Sequence, residues 1–463
     1  MRHWPLILGS LLLAGCARFQ PQPISPEETA ARLENRSLTN VALKPFLEDN
    51  LHREFPEWPP AVWDFEMLTL TAFYYQPSLE VARAQWAVAR GGEITAGQRP
   101  NPSLNVTPGY DTTTSIPSPW IPSVTLDVPI ETAGKRRYRR AQAAQNSEAA
   151  RLNVASAAWQ VRSALRSSLL DLHAAAQRQR LLMDQITLQE QILKLLDAQV
   201  QAGARSTSQA LPFRIALAKT RLDLTDAQRS AAESRARVAE AVGVPFRALD
   251  NVTLAPGWPK LPGTEAELSS SEIRRAALHS RPDVLAALAE YAASQSALQL
   301  EIAKQYPDVR LLPGYQYDQG DNKWSLGITV DLPILNQNQG PIAEAKARRH
   351  QAAAKFEAVQ ARVLADIDRA VQVHQITETN SSILRALAEE QARRRDSVAA
   401  QVQAGAAEQL DLLTAQLEYA TAEQAQLDAQ IKLQQALAAL EDAVQRPFEL
   451  PPAVFHSTRT NGF

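Results

Sequence analysis

One cysteine, three methionines and seventeen glycines are few for 463 residues, and aromatic side chains make up only 6%. A single cysteine excludes an internal disulfide and any multi-cysteine metal site, and so few methionines leave no basis for a soft-metal relay. Charge of one sign is also missing. The 48 basic and 50 acidic side chains leave a net charge of -2, so no global field draws the chain to nucleic acid. No run of eighteen apolar residues follows the N-terminus, which excludes a transmembrane helix and leaves a closed β-barrel as the only way to span a bilayer. There is no Gly-rich phosphate loop. His3, His52, His173, His279, His350, His374 and His456 never take the i, i+4 spacing of a helical metal site. The serines at 269–271 before Glu272 read as a helix start, not a nucleophile. The chain is therefore read as a non-enzyme without metal or cofactor.

What is present begins with an address. MRHWPLILGSLLLAGC has a basic start at Arg2, a short apolar stretch and small residues before Cys16, the form of a secretory signal over 1–15. Cys16 directly after Leu13-Ala14-Gly15 resembles a bacterial lipobox, which implies lipidation of Cys16; an ordinary signal with an incidental cysteine is the alternative. Ala17 follows rather than the Asp that retains many lipoproteins at the inner membrane, so the resemblance implies the outer membrane. Acyl chains anchor without spanning.

The rest is one unit written twice. PSLNVTPGY at 102–110 recurs as PDVRLLPGY at 307–315, LDVPI at 126–130 as VDLPI at 330–334, and AQVQAGA at 198–204 unchanged at 400–406. EAVGVPF at 240–246 recurs as DAVQRPF at 442–448, and Pro77 matches Pro282. Ordered matches at a near-constant offset signify duplication. Each unit reads as a helix stopped by proline, two short strands, a very long helix broken at Gly203 or Gly405, and a returning helix. The first long helix, 134–202, would extend ~100 Å. Leu182, Ile186, Gln189, Leu193, Leu196 and Val200 space as a coiled-coil seam, as do Leu413, Leu417, Ala420, Leu427 and Ile431. The expected organisation is a signal over 1–15, an N-terminal segment over 16–63, a first repeat over 64–250, a linker over 251–270, a second repeat over 271–448 and a tail over 449–463. Residues 17–63, rich in proline and polar groups, are expected to pack along the outside of the rods.

Strands are expected at about 102–111, 123–130, 307–317 and 323–332. Leu104, Val106, Pro108 and Tyr110 alternate with Asn105, Thr107 and Asp111. Val124, Leu126, Val128 and Ile130 form one face of the second strand, and Val309, Leu311, Pro313, Tyr315 and Tyr317 oppose Arg310 and Gln316 in the third. Trp324, Leu326, Ile328, Val330 and Leu332 alternate in the fourth. Nine or ten residues suit a tilted membrane strand, with Tyr110, Trp120, Tyr317 and Trp324 near the loops as an aromatic girdle; a half-buried soluble hairpin shows the same alternation. Four strands cannot close a barrel, two chains would give a filled eight-stranded one, and three chains give twelve with an open lumen. A pore therefore favours a trimer.

These features resemble the TolC family of outer membrane factors: the duplicated helix–hairpin–long-helix unit, Pro-Asn-Pro at 100–102, TAGKR at 132–136 and AGAAEQLDLLTA at 404–415. They are similar to its heavy-metal, CzcC-like branch in particular. The resemblance implies a mainly α fold with a small β part. It also implies a homotrimeric twelve-stranded outer-membrane barrel continued by a periplasmic α-barrel, and partnership with a periplasmic adaptor and an inner-membrane transporter of the RND type. It places Gly203 and Gly405 at the periplasmic tip. Family tips carry an Asp six residues beyond the glycine; Asp411 matches and Gln209 departs, while Arg205 is answered by Ala407. Arg205 and Asp411 are expected to latch neighbouring closed tips, against the simpler reading of Asp411 as a helix N-terminal group. Asp127 and Asp331 are expected to line the junction of barrel and rods or to act as turn and cap residues. Three functions remain open on the sequence: an efflux duct for metal cations or small organic compounds, a duct for protein secretion, or a lipid-anchored periplasmic scaffold.

Overall fold

The computed structural model describes residues 18–113, 115, 118–255 and 270–445. The signal, Cys16, most of the 251–270 linker and the 449–463 tail lie outside the described residues. Two short helices, α1 (Pro26–Glu34) and α2 (Leu43–Leu51), and strand β1 (Val62–Trp63) precede the first unit. That unit runs α3 (Phe65–Tyr75), α4 (Pro77–Gly97), β2 (Ser103–Thr107), β3 (Ser123–Ile130), α5 (Lys135–Gln201) and α6 (Thr207–Val242). After β4 (Thr253–Leu254) the plan repeats as α7 (Ser270–Ser280), α8 (Pro282–Ala303), β5 (Val309–Asp318), β6 (Asp321–Val330), α9 (Gln339–Gln403) and α10 (Gln409–Val444).

Local chemistry sets the boundaries. Pro77 and Pro282 open α4 and α8, where a missing N–H costs nothing. The 67-residue α5 and 65-residue α9 end in the same turn. Ala204 N–H reaches Gln199 O at 2.9 Å and Gly203 N–H reaches Val200 O at 3.0 Å; Ala406 to Gln401 (2.8 Å) and Gly405 to Val402 (3.0 Å) repeat it. This Schellman geometry requires the left-handed φ of +74° at Gly203 and +72° at Gly405.

The helices lie side by side in one open layer. On the tip side the order is α6–α5–α10–α9, and on the sheet side it is α4–α5–α8–α9. The α5 seam buries Leu182, Gln189, Leu193 and Leu196 as the spacing predicts, and adds Gln185 and Ile192 because α5 packs against α10 as well as α6. Among the described residues no helix is long and apolar enough to cross a membrane.

Four strands form one antiparallel sheet in the order β2–β3–β5–β6, so the inner pair joins the two repeats. Two of them have the nine or ten residues expected and two are shorter. β5 and β6 have 10 each and β3 has 8, but β2 has only 5. Pro108 has no N–H to continue the ladder and Pro102 bounds the other end. Beyond Pro108 the hairpin resumes as the isolated Tyr110–Trp120 bridge. Gly109 is needed there, since a Cβ would sit 2.6 Å from Ile121 O.

The N-terminal segment does not simply lie on the rods; it completes the largest core. Leu38, Leu43, Leu47, Phe55 and Trp63 join Met67, Leu68 and Tyr75 of α3, Val161 and Leu165 of α5, and Val238 and Val242 of α6. Strand β1 pairs in parallel with β4 beyond the first repeat, so residues on both sides of the expected boundary at 63/64 share one core. A smaller cluster of Val284, Val363, Ile367, Leu440 and Val444 occupies the same level in the second repeat.

Candidate functional site

The candidate site is the four-stranded sheet with the helix ends beneath it and the turns at the far tips. Register fixes its faces, because Leu104 pairs with Leu126, Val124 with Tyr315, Leu311 with Ile328 and Val309 with Val330. All these lie on one face, since side chains alternate along each strand. That face is apolar and uncovered: Trp324 is 81% exposed, Leu326 69% and Ile328 66%. Burying a large apolar side chain is worth roughly 1.5–3 kcal/mol, so an exposed apolar face this extensive marks a surface made for a non-aqueous or protein partner. Tyr110 stacks edge-on with Trp120 at 5.1 Å, and Tyr315 meets Trp324 at 4.9 Å, at the loop end of this face. The opposite face carries Asn105, Thr125, Asp127, Arg310, Gln316, Ser325 and Thr329. Asp127 and Asp331, considered together in the sequence, have different surroundings. Asp127 is 5% exposed and is neither a turn nor a cap; it pairs with Arg310 across the β3–β5 seam. Asp331 follows the last residue of β6 and is exposed.

Below the sheet, charged side chains tie strands to helices. Lys135 Nζ donates to Asp308 at 2.7 Å and Thr132 N–H does so at 2.9 Å. Burial pushes the Asp308 carboxyl up, but the Lys135 and Thr132 hydrogen bonds outweigh it and hold it below the usual carboxylate value. Arg139 pairs with Glu131 at 2.6 Å and donates to Ala96 O and Gln98 O, while Arg136 donates to Gly97 O at 2.7 Å. Arg136 of the TAGKR segment and Arg139 just beyond it satisfy orphan carbonyls at the end of α4. In the second repeat Asn338, at a φ of +62°, donates to Glu301 O at 2.7 Å near the end of α8.

The tips carry reciprocal capping boxes. Gln209 Oε1 accepts from Ser206 N–H at 3.3 Å, and Asp411 Oδ2 accepts from Glu408 N–H at 3.0 Å. Gln209 and Asp411 thus do the same work despite different chemistry. Arg205 is half-buried and, among the described residues, no ion pair joins it to Asp411 within the chain. The two tips meet instead through Ile192, Leu196, Ala210 and Leu413.

A further cluster was not anticipated from sequence. Glu441 of α10, 2% exposed, meets Arg162 at 2.9 Å and also Arg166 of α5. Asp442 accepts from Trp159 Nε1 at 2.9 Å and from Ser163 Oγ at 2.5 Å. Burial raises the Asp442 carboxyl despite the hydrogen bonds from Ser163 and Trp159. The available signal was two arginines at i, i+4 in α5 and an acidic pair in an otherwise apolar helix end, though nothing in one sequence pairs them.

The comparisons agree with this geometry. The model of the family described as outer membrane efflux protein matches residues 72–244 and again 273–444, one match per repeat. The chain is 25% identical over 273 residues to the cobalt-zinc-cadmium resistance protein CzcC of Cupriavidus metallidurans, covering 58% of this chain and 62% of that protein. It is similar in fold to the outer membrane protein VceC of Vibrio cholerae (19% identity, TM-score 0.67, 83% of this chain and 97% of that one). The outer-membrane channel OprN is also similar (19% identity, TM-score 0.67, 94% and 100% covered). Matched by the family model in both halves, the chain belongs to the outer membrane efflux protein family, a family of channels and not of enzymes.

Proposed function

We propose that three copies of this chain close into a twelve-stranded barrel in the outer membrane, continued by a helical tube into the periplasm. The tube is a passive exit duct served by a periplasmic adaptor and a proton-driven inner-membrane transporter of the RND type. The observation that carries the reading is an open order of elements at every level. Among the described residues, β2 and β6, α4 and α9, and α6 and α9 are the margins of the sheet and of the two halves of the helical layer. Sheet edges with free backbone groups and exposed margin residues such as Leu222, Ile376 and Ile383 need a like neighbour. With the apolar face toward lipid, the polar face lines water. The printed name of the CzcC relative covers cobalt, zinc and cadmium resistance, which supports heavy-metal cations as cargo. Cys16 carries the lipid anchor.

The Gly203 and Gly405 turns form the periplasmic entrance, their geometry held by Gln209 and Asp411. Arg205 meets Asp411 between neighbouring chains when the entrance is shut, so Arg205→Ala raises the conductance of the isolated protein; unchanged conductance removes the latch. The duct is tested in planar bilayers with detergent-extracted protein. Discrete conductance steps are expected, and electrical silence would defeat the reading.

A further inference from the structure

We infer that the Arg310–Asp127 pair, at the helix end of the polar sheet face, sets the charge preference of the pore. The inference rests on the proposed duct, in which this face lines the lumen.

Two features of the wall single out Arg310. Most side chains on the polar face are short: Ser123, Thr125, Gly314, Ser325, Gly327 and Thr329. The other cation on that face, Lys323, stands near the loop end and is tied to Asp318 at 2.6 Å. At the helix end of the sheet Arg310 is the one long cationic side chain among the described strand residues.

Its pairing decides what a passing ion meets. Register places Arg310 opposite Pro129, diagonal to Asp127 on the same face. Arg310 Nε donates to Asp127 Oδ1 at 3.0 Å and a terminal guanidinium nitrogen binds Oδ2, a two-pronged clasp. The Asp127 side chain is 7% exposed and that of Arg310 is 51% exposed. The guanidinium therefore lies over the carboxylate, and the lumen meets the cation while the anion is screened. Nearby, Asp308 is engaged by Lys135, and Asp331 stands exposed one position past β6. Three-fold repetition turns one clasped pair into a ring that presents guanidinium groups over covered carboxylates. A wall of low dielectric makes each such charge count for more than it would in bulk water. Ion selectivity through rings of charged side chains follows from the same electrostatics.

The pair gives two variants with opposite signs. Arg310→Gln uncovers Asp127 and is expected to shift the reversal potential, under a tenfold KCl gradient in a planar bilayer, toward cations. Asp127→Asn frees the guanidinium and is expected to shift it toward anions. The double variant is expected to lie between them. Arg310→Lys, at a half-exposed position, is expected to keep the wild-type preference, and this comparison stands even where Asp127→Asn does not insert. A role confined to holding β3 to β5 would lower the yield of heat-resistant oligomer on unboiled gels without opposite shifts in inserted channels. Shifts of one sign in both variants, or no difference between Arg310→Gln and Arg310→Lys, would overturn the inference. A wild-type protein that conducts with unaltered variants defeats only this inference, whereas a silent wild type defeats the duct itself.

Discussion

The two repeats share a plan and differ in their fastenings. Both fold a proline-opened helix, a hairpin and a long helix turned by a left-handed glycine. Yet where the first repeat has Ala239 in an apolar core, the matching position of the second has Glu441, gripped by Arg162 and Arg166. Where the first repeat ties α4 to the neck with Arg136 and Arg139, the second uses Asn338. Duplication preserved the shared plan, and the fastenings differ where the two copies meet different neighbours. α5 and α10 face each other inside the chain, whereas the margins of α6 and α9 face outward. The inner seam carries the buried Glu441 cluster, the half-exposed ion pair of Arg178 with Asp428, and Gln185 donating to Ala420 O at 3.1 Å, whereas the α5–α6 pairs of Arg214 with Asp197 and Arg221 with Glu190 lie exposed.

The contrast is broken most sharply at Glu441. Removing its carboxylate by Glu441→Ala leaves two buried guanidinium groups without their shared anion, and breaking a buried pair costs about 3–5 kcal/mol. Thermal unfolding in detergent should show a clear loss for Glu441→Ala, beyond that of Arg178→Ala at a half-exposed pair. Next in size is the apolar contact between the tips. Leu413→Ala removes a side chain that is 3% exposed and packs on Ile192 and Leu196; such truncations cost about 2–5 kcal/mol. Hydrogen exchange is expected to speed up at the tip-side ends of both α5 and α10, and a change confined to α10 would refute the shared cluster.

A smaller and equal effect is expected where the repeats differ only in side-chain identity. Gln209→Ala and Asp411→Ala each remove one half of a capping box, worth about 0.5–1 kcal/mol, and exchange should quicken by a similar factor in the first turns of α6 and α10. A much larger effect at Asp411 would mean that it does more than cap. The smallest effect concerns acid. Asp308 has a lowered pKa, so its ionised form contributes stability that is present above the ordinary carboxylate value and lost as pH falls through the lowered one. Asp308→Asn is expected to be less stable than wild type at neutral pH and to converge with it at low pH, read as melting temperature against pH.

Much of the plan was legible because it is periodic or punctuated. The turn glycines, the helix-opening prolines, the tip seam of Leu193, Leu196 and Leu413, and the alternation along β5 and β6 all follow from local chemistry. The shortening of β2 was harder, because Pro108 occupies a position that fits the apolar alternation while lacking the N–H that the ladder requires. That the segment before α3 packs on the rods is expected from sequence, but its share in a core is not legible there, because Leu38, Leu43, Leu47 and Trp63 are scattered among polar residues and acquire meaning only against α3, α5 and α6. The Arg310–Asp127 and Arg162–Glu441 pairs join residues far apart in the chain. Their partners depend on strand register and helix rotation, which a single sequence with low-contrast alanine-rich faces does not specify.

The central claim is that this chain is an open strip of wall completed only by identical copies. Native mass spectrometry of the full-length protein released gently from detergent tests it directly. A mass of three chains is predicted, collapsing to one on heating. A stable single chain, with its sheet margins and apolar face tolerated in solution, would contradict the account.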